Sequence, residues 1–395
     1  MMLESLRIRN FKSLRDVSLE FGRLNIFIGA NGAGKTNVLE AIGVVSAAVF
    51  GVVDDEALMR RGIRPGVPRL YKTSNRHHKT ASDISFTACG DGCVYKVSLL
   101  NPLEKPRPSW YYKTESFDIP GDGAAYTRGV RRNPHPEMGG MPLELSQLEP
   151  DSAAAKFLMQ LRDYALYNPS TAALRGLVPD VQTRIPVGLS GGGLSEGLQQ
   201  ILSLADKNDD VEEAVFAVED LFDWVESVST TTQNSQILSA SLPRTKRTVM
   251  FTDRFMKESS NRLTGADASE GVLYALFLLV LCMSPQGPSV FSVDNIDQAL
   301  NPRLVKRLVK ILQQWFTELI PQKQLFSTAH NPVVLDGLDI ADDAIRLFVV
   351  DRDSDGLTVV QRVAITQDLL KQSQEHHIPL SQLWVDGYLG GVPNV

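Results

Sequence analysis

Gly29-Ala30-Asn31-Gly32-Ala33-Gly34-Lys35-Thr36 satisfies the pattern G-x-x-x-x-G-K-[ST] at every fixed position, and the reading of the chain starts there. Before it, Arg23 to Ile28 (RLNIFI) reads as a short buried strand, and after it Asn37 to Phe50 (NVLEAIGVVSAAVF) reads as an apolar helix. A glycine-rich turn between strand and helix can curl its backbone N–H groups inward at the positive end of the helix, an arrangement that suits phosphate oxygens. The stretch therefore predicts a phosphate-binding loop. Gly29, Asn31, Gly32, Gly34, Lys35, Thr36 and Asn37 are the expected binding residues, with Lys35 reaching the terminal phosphates and the Thr36 hydroxyl a ligand of Mg²⁺.

With 395 residues, 43% of them hydrophobic, the chain can bury a substantial core and divide into two or three folding units. A formal charge of −6 argues against an overall basic surface, so nucleic-acid contact requires a local patch. Cys89, Cys93 and Cys282 are too few and too irregular for a disulfide framework, and no second Cys/His pair completes a zinc site. A cytoplasmic protein is expected, without a secretion signal, because Glu4, Arg7, Arg9 and Lys12 interrupt the start of the chain. Val272 to Met283 (VLYALFLLVLCM) falls short of the roughly twenty residues that span a bilayer, so a buried helix and no membrane contact are expected.

Outward from the loop, Leu3 to Phe21 alternates as two strands around Asn10-Phe11-Lys12-Ser13. This hairpin resembles the opening of ABC-type ATPases of the OLD, RecF and SMC kind. Asp54 to Gly62 reads as a short helix stopped by glycine. Arg64 to Lys79 is a basic loop, open to reading as a solvated surface or as a nucleic-acid or partner contact; His77-His78 within it lacks metal-ligating partners. Ile84 to Phe117 reads as antiparallel strands, Pro120 to Pro150 as a long loop or seam, and Ser152 to Leu166 and Gly193 to Val228 as helices. Leu189-Ser190-Gly191-Gly192 has the letters of an ABC signature but stands about a hundred residues before any strand ending in acid, so a loop with a helix cap is expected.

Three late stretches follow in the order that the resemblance requires. Thr264 to Gly271 (TGADASEG) enters the apolar helix and is similar to the degenerate signature of OLD-like proteins. The resemblance implies that Ser269 and Gly271 face the γ-phosphate held by a second subunit; simple N-capping by Ser269 is the alternative. Ser289 to Asp294 (SVFSVD) is an apolar strand ending in acid, and Asp294 is the implied Mg²⁺-binding carboxylate. Asn295 stands where these families carry a catalytic Glu, Asp297 lies at another acidic position of their pattern, and Leu300-Asn301-Pro302 is similar to their D-loop. Gln324 to Pro332 (QLFSTAHNP) ends a strand in His330, the implied switch residue beside the γ-phosphate.

Ile345 to Val363 reads as a terminal hairpin whose Asp351, Asp353 and Asp355 sit in a turn with Gly356 and are assigned no metal. The resemblance, together with the final LSQLWVDGYLGGVPNV, implies a stand-alone OLD-like ATPase subunit without a Toprim nuclease domain. The expected fold is α/β: an ABC-ATPase head with a mixed central sheet, an antiparallel flank and a helical insertion. Residues 1–118 and 246–395 are expected to form the two parts of the head and 119–245 the insertion. The expected function is a slow ATPase or switch that binds ATP and Mg²⁺ and dimerises through an ATP sandwich. It would control a separately encoded effector, such as a nuclease in an anti-phage system, the alternative being a RecF-like ATP-dependent DNA-binding module.

Overall fold

The computed structural model describes residues 2–76, 79–121, 123–129, 135–180, 182–232, 243, 245–363 and 379–389. His77, His78 and the chain end from 390 lie outside them. The first third holds β1 (Ser5–Phe11), β2 (Leu14–Glu20), β3 (Leu24–Ile28), α1 (Lys35–Phe50), α2 (Asp55–Met59), α3 (Pro68–Tyr71), β4 (Asp83–Gly90), β5 (Cys93–Leu100) and β6 (Tyr111–Ile119). Then come β7 (Gly123–Gly129), α4 (Met141–Gln147), α5 (Ala153–Arg162), β8 (Ala165–Tyr167), α6 (Thr171–Leu174), α7 (Leu194–Ala205), α8 (Asp209–Glu219), β9 (Val225–Thr232), β10 (Arg247–Asp253) and β11 (Arg262–Thr264). The last part holds α9 (Glu270–Met283), β12 (Val290–Val293), α10 (Pro302–Gln314), β13 (Gln324–Ala329), β14 (Ile345–Arg352), β15 (Thr358–Arg362) and α11 (Leu380–Val385).

The central sheet runs β15-β14-β3-β13-β12-β8, parallel throughout except for β15. Parallel strands are covered on both faces, so they read as apolar runs without alternation, and every residue of β3, β12 and β13 is buried. The hairpin β1–β2 instead alternates and opens a second, antiparallel sheet, β2-β1-β4-β5-β6-β7. Its tight turn needs the left-handed backbone of Asn10 and Lys12, at φ 60° and 49°. These two sheets, the central one mixed and the other an antiparallel flank, agree with the expected fold.

Helix α9 is apolar all round because it is enclosed: every residue from Gly271 to Met283 is buried. α10 shows the other solution, one apolar stripe of Val305, Leu308, Val309 and Leu312, started by Asn301, whose side chain accepts from the Leu304 N–H at 3.1 Å.

Three expectations are corrected. Pro120 to Pro150 is not a structureless seam: β7 pairs with β6, and α4 packs beside α1. The helix expected through Leu166 stops at Arg162, and Ala165–Tyr167 pairs with β12 as the edge strand of the central sheet; three buried residues give too short a run for periodicity to tell strand from helix. The helical reading to Val228 likewise gives way at Val225, where β9 joins β10 and β11 in a third sheet, β11-β10-β9. Strand β8 carries part of the middle segment into the central sheet.

Phe277 is fully buried on α9, 5.9 Å from the Tyr167 ring and 6.2 Å from the Tyr274 ring. Phe277→Ala is expected to cost about 3–5 kcal/mol, read as a fall in the urea midpoint of unfolding. A midpoint unchanged within error contradicts this account of the core.

Candidate functional site

Three parallel strands end side by side, and each delivers one part of the site: β3 the glycine loop, β12 Asp294, and β13 His330. The carboxyl ends of parallel strands are where open α/β sheets place ligands. The loop takes its shape from Gly29, Gly32 and Gly34, all at positive φ. Gly34 at φ 113° cannot be replaced without strain, because a Cβ there would lie 2.2 Å from Thr358 Oγ1 and 2.9 Å from Ser13 Oγ.

Lys35 opens α1 and is only 4% exposed. Its Nζ donates to the carbonyl oxygens of Gly29 at 2.7 Å and Ala30 at 3.1 Å and lies 3.4 Å from His330 Nδ1. Burial pushes its pKa down, and the charges of Asp294 and Asp297 oppose that shift. Thr36 Oγ1 donates to the Asp294 carboxylate, at 3.3 Å from Oδ1 and 3.2 Å from Oδ2. These hard oxygen donors fit Mg²⁺, which binds one or two protein oxygens and keeps waters.

Thr328, on β13 two residues before His330, ties the neighbouring strand ends together. Its hydroxyl donates to Asp294 Oδ1 and accepts from the Asn295 N–H at 2.8 Å. Asn295 itself sits at φ 60°, and its carbonyl accepts from Tyr274 OH at 3.0 Å. Asp297 has a positioning contact: Oδ2 accepts from the backbone N–H groups of His330, at 3.0 Å, and Asn331. A cleft of ≈900 Å³ opens beside the loop, between Lys12, Arg64, Tyr71 and Arg76 on one side and Arg352 and Asp355 on the other.

Residues 1–58 match a family profile described as "AAA ATPase domain", and residues 182–336 match one described as "AAA domain, putative AbiEii toxin, Type IV TA system". A "DNA replication and repair protein RecF" of Leptospira interrogans is 39% identical over 90 residues, 22% of this chain and 24% of that protein. The corresponding protein of Shouchella clausii is 28% identical over 160 residues, 38% of this chain and 39% of its own. An "OLD nuclease" of Thermus scotoductus is 45% identical over 49 residues, 12% of this chain and 9% of its own. The matches thus span no more than 39% of these relatives. Among solved structures, the Smc head domain of Pyrococcus furiosus with an extended coiled coil, bound to the C-terminal domain of ScpA, superposes with a TM-score of 0.53 at 13% identity, covering 95% of this chain and 99% of that one. An SmcHead bound to the C-winged helix domain of ScpA gives a TM-score of 0.51 at 13% identity, covering 94% and 100%. By these matches the chain is similar to ABC-type ATPases of the OLD, RecF and SMC group.

In this fold the expected residues divide into two sets. Lys35, Thr36, Asp294, Asn295, Asp297 and His330 gather at one place, whereas no hydrogen bond joins Ser269 to them. Ser269 is exposed at the start of α9 and makes no side-chain capping bond, so the N-cap alternative lacks its hydrogen bond. Gly271 allows close approach of the D-loop, since a Cβ would lie 3.0 Å from Ala299 O and 3.0 Å from Leu300 Cδ2. Asn37 turns to the hairpin and donates to Ser13 Oγ at 2.8 Å, while Asn31 is exposed on the loop. At Leu189 to Gly192 the N–H groups of Ser190 and Gly192 are already taken by Asp180 Oδ2, at 2.8 and 2.9 Å, and α7 starts from left-handed Gly193. That loop is a braced turn, as expected.

Sequence reasoning missed Glu40, Ser13, Thr358 and Arg352. Glu40 is fully buried and pairs with Lys12 and with Arg64, at 2.8 Å. A carboxylate inside an apolar helix, five residues after Lys35, was its available signal. The Thr358 hydroxyl donates to Ala33 O and meets the Ser13 hydroxyl, both at 2.6 Å, and Arg352 Nε donates to Gly32 O at 2.9 Å. No spacing rule links residues more than 300 positions apart. Among the described residues no group of three His, Cys, Asp or Glu side chains forms a metal cluster.

Loss of water around His330, and then the Lys35 charge, push its pKa below the ordinary 6.5, against the pull of Asp297 and Asp294. Its contribution to stability is complete above the unfolded value and is lost as pH falls from there through the folded pKa. In nucleotide-free protein, the imidazole carbon-bound protons are expected to titrate with a midpoint below 6.5 by NMR, and Lys35→Ala to move that midpoint upward. A wild-type midpoint at or above 6.5 contradicts the electrostatic picture.

Proposed function

We propose that this chain is an ATP-binding switch of the ABC type that hydrolyses ATP slowly, pairs with a second copy when ATP is bound, and acts in the cytoplasm on a separately encoded effector. The observation that carries the reading is the convergence of Lys35, Thr36, Asp294 and His330 at the carboxyl ends of neighbouring parallel strands. In this reading Gly29, Asn31, Gly32 and Gly34 cradle the phosphates, Lys35 neutralises them, Thr36 and Asp294 hold Mg²⁺, and His330 senses the γ-phosphate. The adjacent cleft takes the nucleoside.

Ser269 and Gly271 serve the loop of a partner copy. Support comes from Ser269 being exposed, uncapped and apart from its own chain's cluster. The division into head parts 1–118 and 246–395 around an insertion at 119–245 belongs to the same proposal. An effector such as a nuclease in an anti-phage system is supported by the likeness to part of an OLD nuclease. A RecF-like ATP-dependent DNA-binding role is the second reading, favoured by the RecF relatives and by Arg69, Arg76 and Arg352 along the cleft.

Lys35→Ala is expected to abolish ATP binding in calorimetry, and Ser269→Arg to leave binding intact while removing any ATP-dependent gain in mass by light scattering. Unchanged ATP affinity in Lys35→Ala sinks the loop assignment; an ATP-dependent dimer that survives Ser269→Arg sinks the sandwich.

Slow turnover follows from Asn295, whose amide cannot accept a proton, and from Asp297, one oxygen of which is engaged by two backbone N–H groups. Absence of a general base typically costs about 10²- to 10⁴-fold in rate. Asn295→Glu is expected to speed turnover at saturating ATP. A fast wild type that Asp297→Ala cripples would place the base at Asp297 instead.

A further inference from the structure

The far end of α1 from the phosphate loop carries a concentration of cations that the ATP reading does not use. At a rise of about 1.5 Å per residue, Phe50 lies roughly 22 Å from Lys35, so the two ends of the helix belong to different sites. Around Phe50 a pocket of ≈470 Å³ is lined by Arg60, Arg61, Arg162 and Arg184, with Asp163 the one carboxylate among its lining residues. In a chain of formal charge −6 this is a local excess of three positive charges.

The guanidinium groups of Arg61 and Arg184 are held in place by neutral partners. Arg61, 6% exposed, donates to Ser46 Oγ at 2.6 Å, Ala57 O at 2.9 Å and Arg162 O at 3.2 Å, which leaves two of its five N–H groups without a protein acceptor. Arg184 donates to the carbonyl oxygens of Arg60 at 3.3 Å and Asp163 at 3.0 Å. The guanidinium carbons of Arg61 and Arg162 lie 5.1 and 5.3 Å from the centre of the Phe50 ring. Arg60 pairs with Glu56, but among the described residues Arg61, Arg162 and Arg184 have no carboxylate within ion-pair distance.

A buried guanidinium without a counter-ion is unfavourable, and three near one another add mutual repulsion. The pKa of Arg61 reflects both: burial first, then the charges of Arg184 and Arg162, bring it down to about 10, although Asp163 opposes the shift. A bound anion would relieve this cost. A single carboxylate has two oxygens and one charge, whereas a phosphate group offers more acceptor oxygens and, as a monoester, close to two charges, a better match to several convergent forks.

We propose that the pocket formed by Arg61, Arg162 and Arg184 beside Phe50 is a second anion site that binds a phosphate group, belonging either to a free phosphate compound or to a nucleic-acid backbone. The site is separate from the phosphate loop and does not rest on the ATP reading.

The test uses the full chain carrying Lys35→Ala, so that the loop does not compete for the probe, with and without Arg162→Gln and Arg184→Gln. Two probes are titrated: inorganic pyrophosphate by calorimetry and a fluorescein-labelled twenty-nucleotide thymidine strand by anisotropy. At least one probe is expected to bind the parent and to weaken about tenfold or more in the double-glutamine protein; for the strand, the slope of log affinity against log salt should also fall by about 0.7 per lost phosphate contact. Pyrophosphate binding alone assigns the site to a free phosphate compound, and strand binding with the reduced slope assigns it to a nucleic-acid backbone.

Arg162→Lys with Arg184→Lys keeps the charge and should retain more affinity than the glutamine pair, which separates a charge effect from misfolding. In a wild-type background the glutamine pair should leave ATP affinity within about twofold, so this site and the phosphate loop can fail independently. If neither probe binds the parent, or if both bind the glutamine pair with unchanged affinity, the proposal is wrong.

Discussion

A lysine that is only 4% exposed imposes the main constraint on this molecule. Lys35 is charged, and a buried charge is tolerated only where dipoles and opposite charges surround it. The carbonyls of Gly29 and Ala30 supply the dipoles, and Asp294 and Asp297 the opposite charge. Those carboxylates come from the chain beyond β12, so the loop after β3 and the acidic strand end must stand side by side. The order of the central sheet, with β13 between β3 and β12, achieves this and brings His330 to the same end of the strands.

The loop is braced from outside as well. Thr358 and Arg352, on the terminal hairpin, bond to the carbonyls of Ala33 and Gly32, and Ser13, in the opening hairpin, meets both Thr358 and Asn37. A glycine at position 34 is thus required twice, for its positive φ and for the room taken by Thr358. Two hairpins far apart in the chain thus meet beside the glycine loop. A change at Thr358 on β15 therefore reaches the glycine loop directly, although 325 positions separate it from Ala33.

Glu40 extends the same logic one turn along α1. Its buried carboxylate is tolerable because Lys12 and Arg64 pair with it, and together they hold its pKa below the ordinary carboxylate value against the opposing effect of burial. The pairing orients the basic segment after α2 toward the cleft beside the loop. At the opposite end of α1 the balance is reversed, since Arg61 sits among carbonyls and other arginines. One helix therefore separates a compensated charge cluster from an uncompensated one.

The sequence by itself determined the motifs whose chemistry is local. The strand, loop and helix from Arg23 to Phe50, the hairpin around Asn10, the enclosed α9 and the strand ends at Asp294 and His330 were all legible, because backbone torsion, helix dipole and apolar runs act over a few residues. Tertiary structure decided what depends on distant partners. β8 became an edge strand because three buried residues had β12 to pair with, and β7 and β9 formed where composition suggested loop or helix. It also turned Asp297 toward the backbone of His330 and set Thr358 against the loop, contacts that no local rule encodes because they exist only after the sheets have closed on each other.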